Sequence, residues 1–118
     1  MKRLSVLIIV IIMLVSLTAC NTNVVKGTII QNTENGHAVL DIMPQKLFEN
    51  FEIGESVVVT IGGFQEEIPL VDHIIAEDGK LQLYYNSEEH TLSIVSYNED
   101  FCEGYNIPEN SKVKIIKT

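Results

Sequence analysis

The apolar run near the start of the chain most constrains what this sequence can fold into. Ten consecutive apolar residues, 6–15, follow the basic pair Lys2 and Arg3. The run has the length of an export signal's apolar core, about 7–15 residues, and is shorter than the roughly 20 residues of a typical membrane-spanning helix. It is therefore predicted to direct export rather than to join a folded domain. The alternative is an uncleaved anchor helix over residues 4–19, since a bilayer accommodates a short span at small cost.

A cysteine follows this apolar segment directly. The tetrad that ends the segment resembles the lipobox of bacterial lipoprotein precursors and reads Leu17-Thr18-Ala19-Cys20. The resemblance implies a signal peptide over residues 1–19 and acylation of the Cys20 thiol, with palmitate-type chains on the first mature residue. Two or three acyl chains anchor stably, since each buried CH₂ contributes about 0.8 kcal/mol. The expected location is the extracytoplasmic face of a cell membrane, with the lipid bilayer as the partner of acylated Cys20.

The composition of the mature chain excludes some partners. Removing residues 1–19 leaves 99 residues, which suits one small domain with a modest core. Because Lys2 and Arg3 leave with the signal, 6 basic and 16 acidic side chains remain and the formal charge changes from −8 to −10. Such acidity repels the phosphates of nucleic acid, so no nucleic-acid partner is expected. It also disfavours electrostatic attachment to anionic lipid, which leaves the anchoring to the acyl chains.

Most of the mature chain has the pattern of short strands separated by turns. Strands are predicted over residues 28–31, 37–42, 56–61, 64–71, 81–85, 91–97 and 112–117. The pattern over 44–51 is ambiguous and fits one or two helical turns, and residues 98–104 are expected to be irregular or a short helix. Asn35-Gly36 and Gly62-Gly63 are strong turn signals between strands. The spacing predicts a mainly all-β single domain, a small barrel or sandwich with one or two short helices. A lipidated polar tether is predicted over 20–26 and the β domain over 27–118.

Short matches to a known family run in order over residues 27–116. They are Gly27-Thr28-Ile29-Ile30 with Gly36 and Ile42, Gly54 with 57–63, Asp78-Gly79, Leu83, Asn86-Ser87, Leu92, Ile94 and Asn98, and Lys112-Val113-Lys114-Ile115. Together they resemble the C-terminal β domain of the S-adenosylmethionine hydroxide adenosyltransferases, relatives of the bacterial fluorinase and chlorinase. In that family the N-terminal domain carries the catalytic residues, and nothing in residues 1–118 resembles it. The resemblance therefore implies a fold rather than a reaction, and a domain that is not an enzyme and holds no cofactor.

The same resemblance supplies candidate residues for a vestigial ligand pocket. In the family, this domain of a neighbouring subunit contributes much of the adenine pocket, and the corresponding positions here are Gly36, His37, Asn86, Ser87, Asn98 and Phe101. His37 replaces an Asn that would pair with the adenine edges, and Phe101 stands where small residues let the base approach. These changes predict a pocket closed by packing. The alternative is a site in which His37 and Phe101 stack on another planar ligand.

Other chemistry-bearing residues lack a catalytic or metal-binding arrangement. Glu66-Glu67 and Glu88-Glu89 are adjacent pairs, and neighbours on a strand face opposite sides, so neither pair is predicted to converge. Ser87 and His90 have no evident third orienting group, and no Cys/His spacing suits a metal. Cys102 is predicted to be an unpaired thiol, because Cys20 is committed to lipid.

Three functional hypotheses follow from these observations. The first is a membrane-anchored, non-catalytic binding or interaction module at the cell envelope, with an unidentified protein or small-molecule partner. The second is a structural module that self-associates as a homo-oligomer, because the family's trimer is built partly through this domain. The third is a remnant half-site for S-adenosylmethionine or a nucleoside.

Overall fold

The computed structural model describes residues 24–118, which form a closed seven-stranded β-barrel with two short helices. The elements follow in the order β1 (Val24–Asn32), β2 (Ala38–Leu40), α1 (Pro44–Phe48), β3 (Ser56–Ile61), β4 (Phe64–Val71), β5 (Leu81–Asn86), β6 (Thr91–Ser96), α2 (Phe101–Gly104) and β7 (Lys112–Lys117). Around the barrel the strands are ordered β1-β2-β6-β5-β4-β3-β7. This confirms the all-β class and decides for a barrel over an open sandwich.

The alternation of side chains along the strands places the core inside the barrel. On β3, Val57, Val59 and Ile61 point inward and are at most 5% exposed. Val113 and Ile115 do the same on β7, where Ile115 lies opposite Val59. Because successive side chains on a strand face opposite sides, the residues between these positions form the outer face of the barrel.

The helices and the residues beside them add to this core. Leu47 of α1 and Phe101 of α2 are fully buried, and Phe51, three residues after α1 ends, is 1% exposed. The one or two helical turns expected within 44–51 are the short helix α1, which ends at Phe48. Neither helix within residues 24–118 has the length and apolar character that a membrane-spanning helix requires.

Strand β4 changes partner at its proline. Residues before this point pair antiparallel with β3, ending with Pro69 opposite Ser56. The next two residues, Leu70 and Val71, pair parallel with β5. Proline has no N–H to give to a strand ladder, so a position where one pairing ends and another begins accommodates it well. The structure places this exchange of partners at Pro69.

The first strand begins earlier than the predicted domain boundary. Val24, Val25 and Lys26 pair with residues 114–116 of β7, so the tether predicted over 20–26 loses its last three residues to the barrel. The polar residues that precede Val24 suggested a longer linker. The ordering of these residues depends on a partner strand at the other end of the chain, which local sequence does not reveal.

A buried glutamine holds the connection between β4 and β5. Gln82 is fully buried, and its Oε1 accepts a hydrogen bond from the Ile75 N–H at 2.7 Å. Its Nε2 donates to the carbonyl oxygens of Ile75 at 3.1 Å and Lys80 at 3.3 Å. Because β4 and β5 are parallel neighbours, the connection between them must return along the strands, and the Gln82 amide ties this connection to β5 and gives the Ile75 N–H its partner.

Replacing Gln82 with leucine is expected to destabilise the barrel by about 1–3 kcal/mol, because it removes the three hydrogen bonds of the buried amide and leaves the Ile75 N–H without its partner. The measurement is urea unfolding of the chain from Asn21, which contains all seven strands. The matched control is Gln65→Leu at an exposed position on β4. Equal stabilities of the two variants would contradict the role assigned to Gln82.

Candidate functional site

Four of the six predicted pocket residues gather near one end of strand β6. Gly36 precedes β2 and is buried, and its carbonyl accepts a hydrogen bond from the Phe101 N–H at 3.1 Å. A Cβ at Gly36 would lie 2.6 Å from Asp100 Cα, and the Gly36 φ is +80°. The backbone of the α2 region therefore fills the space beside Gly36. Glycine is required there by both its φ and this close approach.

Phe101 closes this region rather than lining an open cleft. Its ring is fully buried, and its centroid lies 5.4 Å from that of Phe64 and 5.4 Å from that of Tyr105. Phe64 and Tyr105 also make an edge-on contact at 5.1 Å. An aromatic cluster thus occupies the position where the family resemblance would place a ligand base. That a ligand pocket is closed by this packing stays a prediction.

His37 and Asn98 take structural roles in the same region. The His37 backbone N–H donates to Thr33 Oγ1 at 3.1 Å, and burial lowers the pKa of the half-buried His37 imidazole below its ordinary value of 6.5. Asn98 has φ +60°, and its Nδ2 donates to Asp78 Oδ1 at 2.6 Å. Both residues therefore stabilise turns at this end of the barrel.

Asn86 and Ser87 lie at the opposite end of β6, so the six predicted residues do not form one pocket. They belong to the turn that joins β5 to β6, where Asn86 Oδ1 accepts hydrogen bonds from the N–H groups of Glu88 and Glu89. The six residues of β6 span about 17 Å between this turn and the Phe101 region. Asn86 and Ser87 line a separate hollow of about 550 Å³ with Tyr84 and Tyr85.

Of the two cysteines, the described part of the chain contains only Cys102. Cys20, with the predicted signal peptide, lies outside the described residues, so its acylation stays a prediction. Cys102 is a free thiol buried on α2. Burial, followed by the charges of Asp100 and Glu109, raises the pKa of this thiol, so it is a poor nucleophile. Within residues 24–118, no three His, Cys, Asp or Glu side chains cluster as a metal site.

The structure brings together a site that sequence reasoning missed, a lysine-lined groove on the outer face of β1 and β7. Its cationic side chains are Lys26 of β1, Lys46 of α1, and Lys112 and Lys114 of β7. These are four of the six basic side chains in residues 24–118. We call this surface the lysine groove; its volume is about 910 Å³. In a domain with 16 acidic residues, this concentration of positive charge on one face is the most distinctive feature of the surface.

Strand register sets the spacing of these lysines. Lys26 lies directly opposite Lys114, and Lys114 lies opposite Thr60 on its other side. Lys112 lies opposite Thr28. Side chains directly opposite on neighbouring antiparallel strands have Cβ atoms about 4.5–5.5 Å apart. The register therefore holds two ammonium-bearing side chains side by side across the β1–β7 ladder.

The connection from β2 to α1 forms one wall of the lysine groove. Asp41 Oδ1 accepts a hydrogen bond from the Thr28 N–H at 2.6 Å, and the Asp41 N–H donates to the Thr28 carbonyl at 3.0 Å. A Cβ on Gly27 would clash with the Ile42 side chain and lie 2.8 Å from Asp41 Oδ1. Glycine at this position therefore lets the β2–α1 connection close onto β1. Met43, at 59% exposure, lies on the rim of the groove.

The sequence alone predicts only part of the lysine groove. Alternation in Lys112-Val113-Lys114 indicates that both lysines face away from the core. Lys26 and Lys46 lie far away in the chain, and nothing local shows that they share this face. The pairing of β1 with β7 brings them together.

Substituting Gly36 with alanine is expected to cost clearly more stability than the same change at Gly54. Both have positive φ, +80° and +96°, which costs an alanine about 1–2 kcal/mol. Only at Gly36 does the new Cβ also overlap the backbone at Asp100, whereas nothing lies within 4 Å of a Cβ at Gly54. Urea unfolding of both variants measures the difference, and equal losses would contradict the packing described for Gly36.

The lowered pKa of His37 predicts a loss of stability at mildly acidic pH. The folded chain binds a proton at His37 less tightly than the unfolded chain does. Burial of the neutral imidazole therefore costs no stability above pH 6.5, the ordinary His pKa, and the free energy of unfolding decreases as the pH falls below that value. His37→Gln is expected to lose less unfolding free energy than the wild type between about pH 7.5 and pH 5.5. His90→Gln, at an exposed turn position, is the control. An NMR titration midpoint for His37 at or above 6.5 would refute the prediction.

Comparison with known proteins supports the fold. No family model and no curated protein matches the chain. Among solved structures, an uncharacterized conserved protein from Thermotoga maritima is similar with a TM-score of 0.71 and 15% identity, over 80% of this chain and 36% of its own. A conserved hypothetical protein from Thermus thermophilus is similar with a TM-score of 0.56 and 16% identity, over 77% of this chain and 32% of its own. The chain thus spans about a third of the length of each, and at these identities the likeness concerns the fold alone.

Proposed function

We propose that this protein is a lipid-anchored, non-catalytic binding protein at the extracytoplasmic face of a bacterial membrane. The observation that carries the proposal is the tetrad Leu17-Thr18-Ala19-Cys20 behind a basic start and a ten-residue apolar run. In lipoprotein precursors this arrangement marks the acylated cysteine. The barrel then begins four residues after Cys20, at Val24.

The short distance between Cys20 and β1 supports a role at the membrane surface. A fully extended chain covers at most about 3.6 Å per residue, so Val24 lies within about 14 Å of an acylated Cys20. An anchor this close keeps one side of the barrel near the bilayer. The domain would therefore meet ligands or partners that are themselves at the membrane.

The lysine groove is the proposed binding surface of the barrel. It is concave, and the exposed Met43 side chain lines it together with lysine and threonine residues from several strands. Ligand sites commonly combine an apolar lining with a few convergent polar groups in this way. Its charge favours an anionic partner, although the domain as a whole is acidic.

Replacing Cys20 with alanine is expected to abolish incorporation of labelled palmitate and to prevent removal of residues 1–19, because the modified thiol is lost. The measurement is metabolic labelling in a bacterial host, followed by mass spectrometry of the purified chain. Cys102→Ala is the matched control, since it removes the buried thiol and leaves the lipobox intact.

Two outcomes would contradict the proposal. Palmitate incorporation that persists in Cys20→Ala, or a wild-type chain that keeps Met1 in the membrane fraction, would favour the uncleaved anchor. Turnover of S-adenosylmethionine by the chain from Asn21 would overturn the non-catalytic assignment.

A nucleoside-binding half-site is the second candidate, and the family resemblance favours it. Both structural neighbours are much longer chains in which a domain of this size is one part, as expected of a fold that also occurs beside another domain. The packing of Phe101 against Phe64 and Tyr105 counts against an open base pocket. A thermal shift of the chain from Asn21 with adenosine would support this candidate over the lysine groove.

A further inference from the structure

We propose that the lysine groove binds the phosphate group of an anionic lipid headgroup and so holds the barrel in one orientation on the bilayer. This inference rests on the proposed membrane anchoring and names the partner of the groove. The chemistry recognised is a phosphate next to an apolar surface. We assign this phosphate to a lipid of the membrane.

The first argument is the segregation of charge on the barrel. The lysine groove carries four lysines and one carboxylate, Asp41. The other residues of the 24–118 region carry two lysines and fifteen carboxylates. Charges separated by more than about 8–10 Å are screened at physiological salt, so a nearby bilayer responds to the face that it meets rather than to the net charge. An anionic bilayer therefore attracts this face and repels the others.

The second argument is the like-charge pair in the β1–β7 ladder. Lys26 and Lys114 are directly opposite each other, and like charges in that arrangement are destabilising. Among residues 24–118, the ion pairs within 4.0 Å involve Lys117 and His73 and none of the four groove lysines. The two lysine side chains thus begin side by side, and neither has a carboxylate within 4.0 Å in the described barrel. A phosphate between them would relieve the repulsion and accept hydrogen bonds from both.

The third argument is the apolar rim beside the lysines. Met43 is 59% exposed on the groove's edge, although a methionine this exposed gains little from the barrel's own packing. A surface that combines lysines with an exposed apolar side chain suits the boundary between headgroups and acyl chains. A freely diffusing phosphate would make no use of Met43.

The fourth argument is the position of the groove along the chain. Val25 and Lys26 line it, and they are the second and third described residues. Lys26 lies six residues after Cys20, within about 22 Å of extended chain. The anchor and the groove are therefore near each other, and acyl chains in the bilayer allow the lysine face to reach the headgroups.

The test is sedimentation of the chain from Asn21 with lipid vesicles, so that binding depends on the groove and not on acylation. Vesicles of phosphatidylcholine alone are compared with vesicles that also contain phosphatidylglycerol. Binding is expected only to the anionic vesicles. In the variant Lys26→Gln/Lys114→Gln it is expected to weaken about 30-fold, since each lysine near an anionic surface contributes about fivefold.

The control variant Lys80→Gln/Lys117→Gln removes the same charge outside the groove and is expected to bind like the wild type. Thermal unfolding separates binding from folding: Lys26→Gln/Lys114→Gln is expected to melt no lower than the wild type, because the like-charge pair is removed. If vesicle binding weakens equally in both variants, the effect is one of general charge and the groove is not the binding site. Equal binding of the wild type to neutral and anionic vesicles would also overturn the proposal.

Inorganic phosphate and glycerol phosphate distinguish the source of the ligand. The proposal would be overturned if the wild type binds no vesicles and either ion raises its melting temperature without raising that of Lys26→Gln/Lys114→Gln. The ligand would then be a free phosphate rather than a lipid. If the wild type leaves anionic vesicles only at high concentrations of these ions, the lipid headgroup site is supported. Palmitate labelling at Cys20 is unaffected by any of these results, so the anchoring and the headgroup site fail or succeed separately.

Discussion

The pairing of the first strand with the last is the interaction on which the rest of the structure depends. Five residues of β1, from Val24 to Thr28, pair with β7, which in turn pairs with β3. This ladder closes the barrel and removes the exposed strand edges that an open sheet would present. It also encloses the core around Val59 and Ile115, because inward residues of β3 and β7 meet in register. The same contact brings Lys26 opposite Lys114, so closure of the fold and formation of the lysine groove are one event.

Net charge alone is a poor guide to what this domain attracts. At −10 after removal of residues 1–19, the chain suggests repulsion from any anionic surface. The structure places four of its lysines on one face, beside β1 and β7. Screening over about 10 Å makes such local asymmetry matter more than the sum of charges. An acidic surface overall and one cationic face are therefore compatible in one small barrel.

Much of the fold was predictable because local patterns specify it. Alternating residues on β3 and β7, and the turn at Gly62-Gly63, indicate strands wherever their partners lie. The features that failed depend on distant partners. The start of β1 at Val24, inside the predicted tether, requires β7. The candidate pocket residues are also dispersed, since Asn86 and Phe101 lie at opposite ends of β6 although the family resemblance assigns both positions to one pocket.

By itself, the sequence determined the all-β class, the order of the strands along the chain and the lipobox-like Cys20 with its implied anchor. These depend on residue type and spacing within short windows, where period-two alternation and turn residues act directly on the backbone. Only the tertiary structure decided that the sheet closes, that Phe101 fills its region with aromatic packing, and that Lys26, Lys46 and Lys114 share one groove. Such features arise from strand register between segments up to about ninety residues apart. No local pattern encodes that register, because it follows from which strands find each other in the closed barrel.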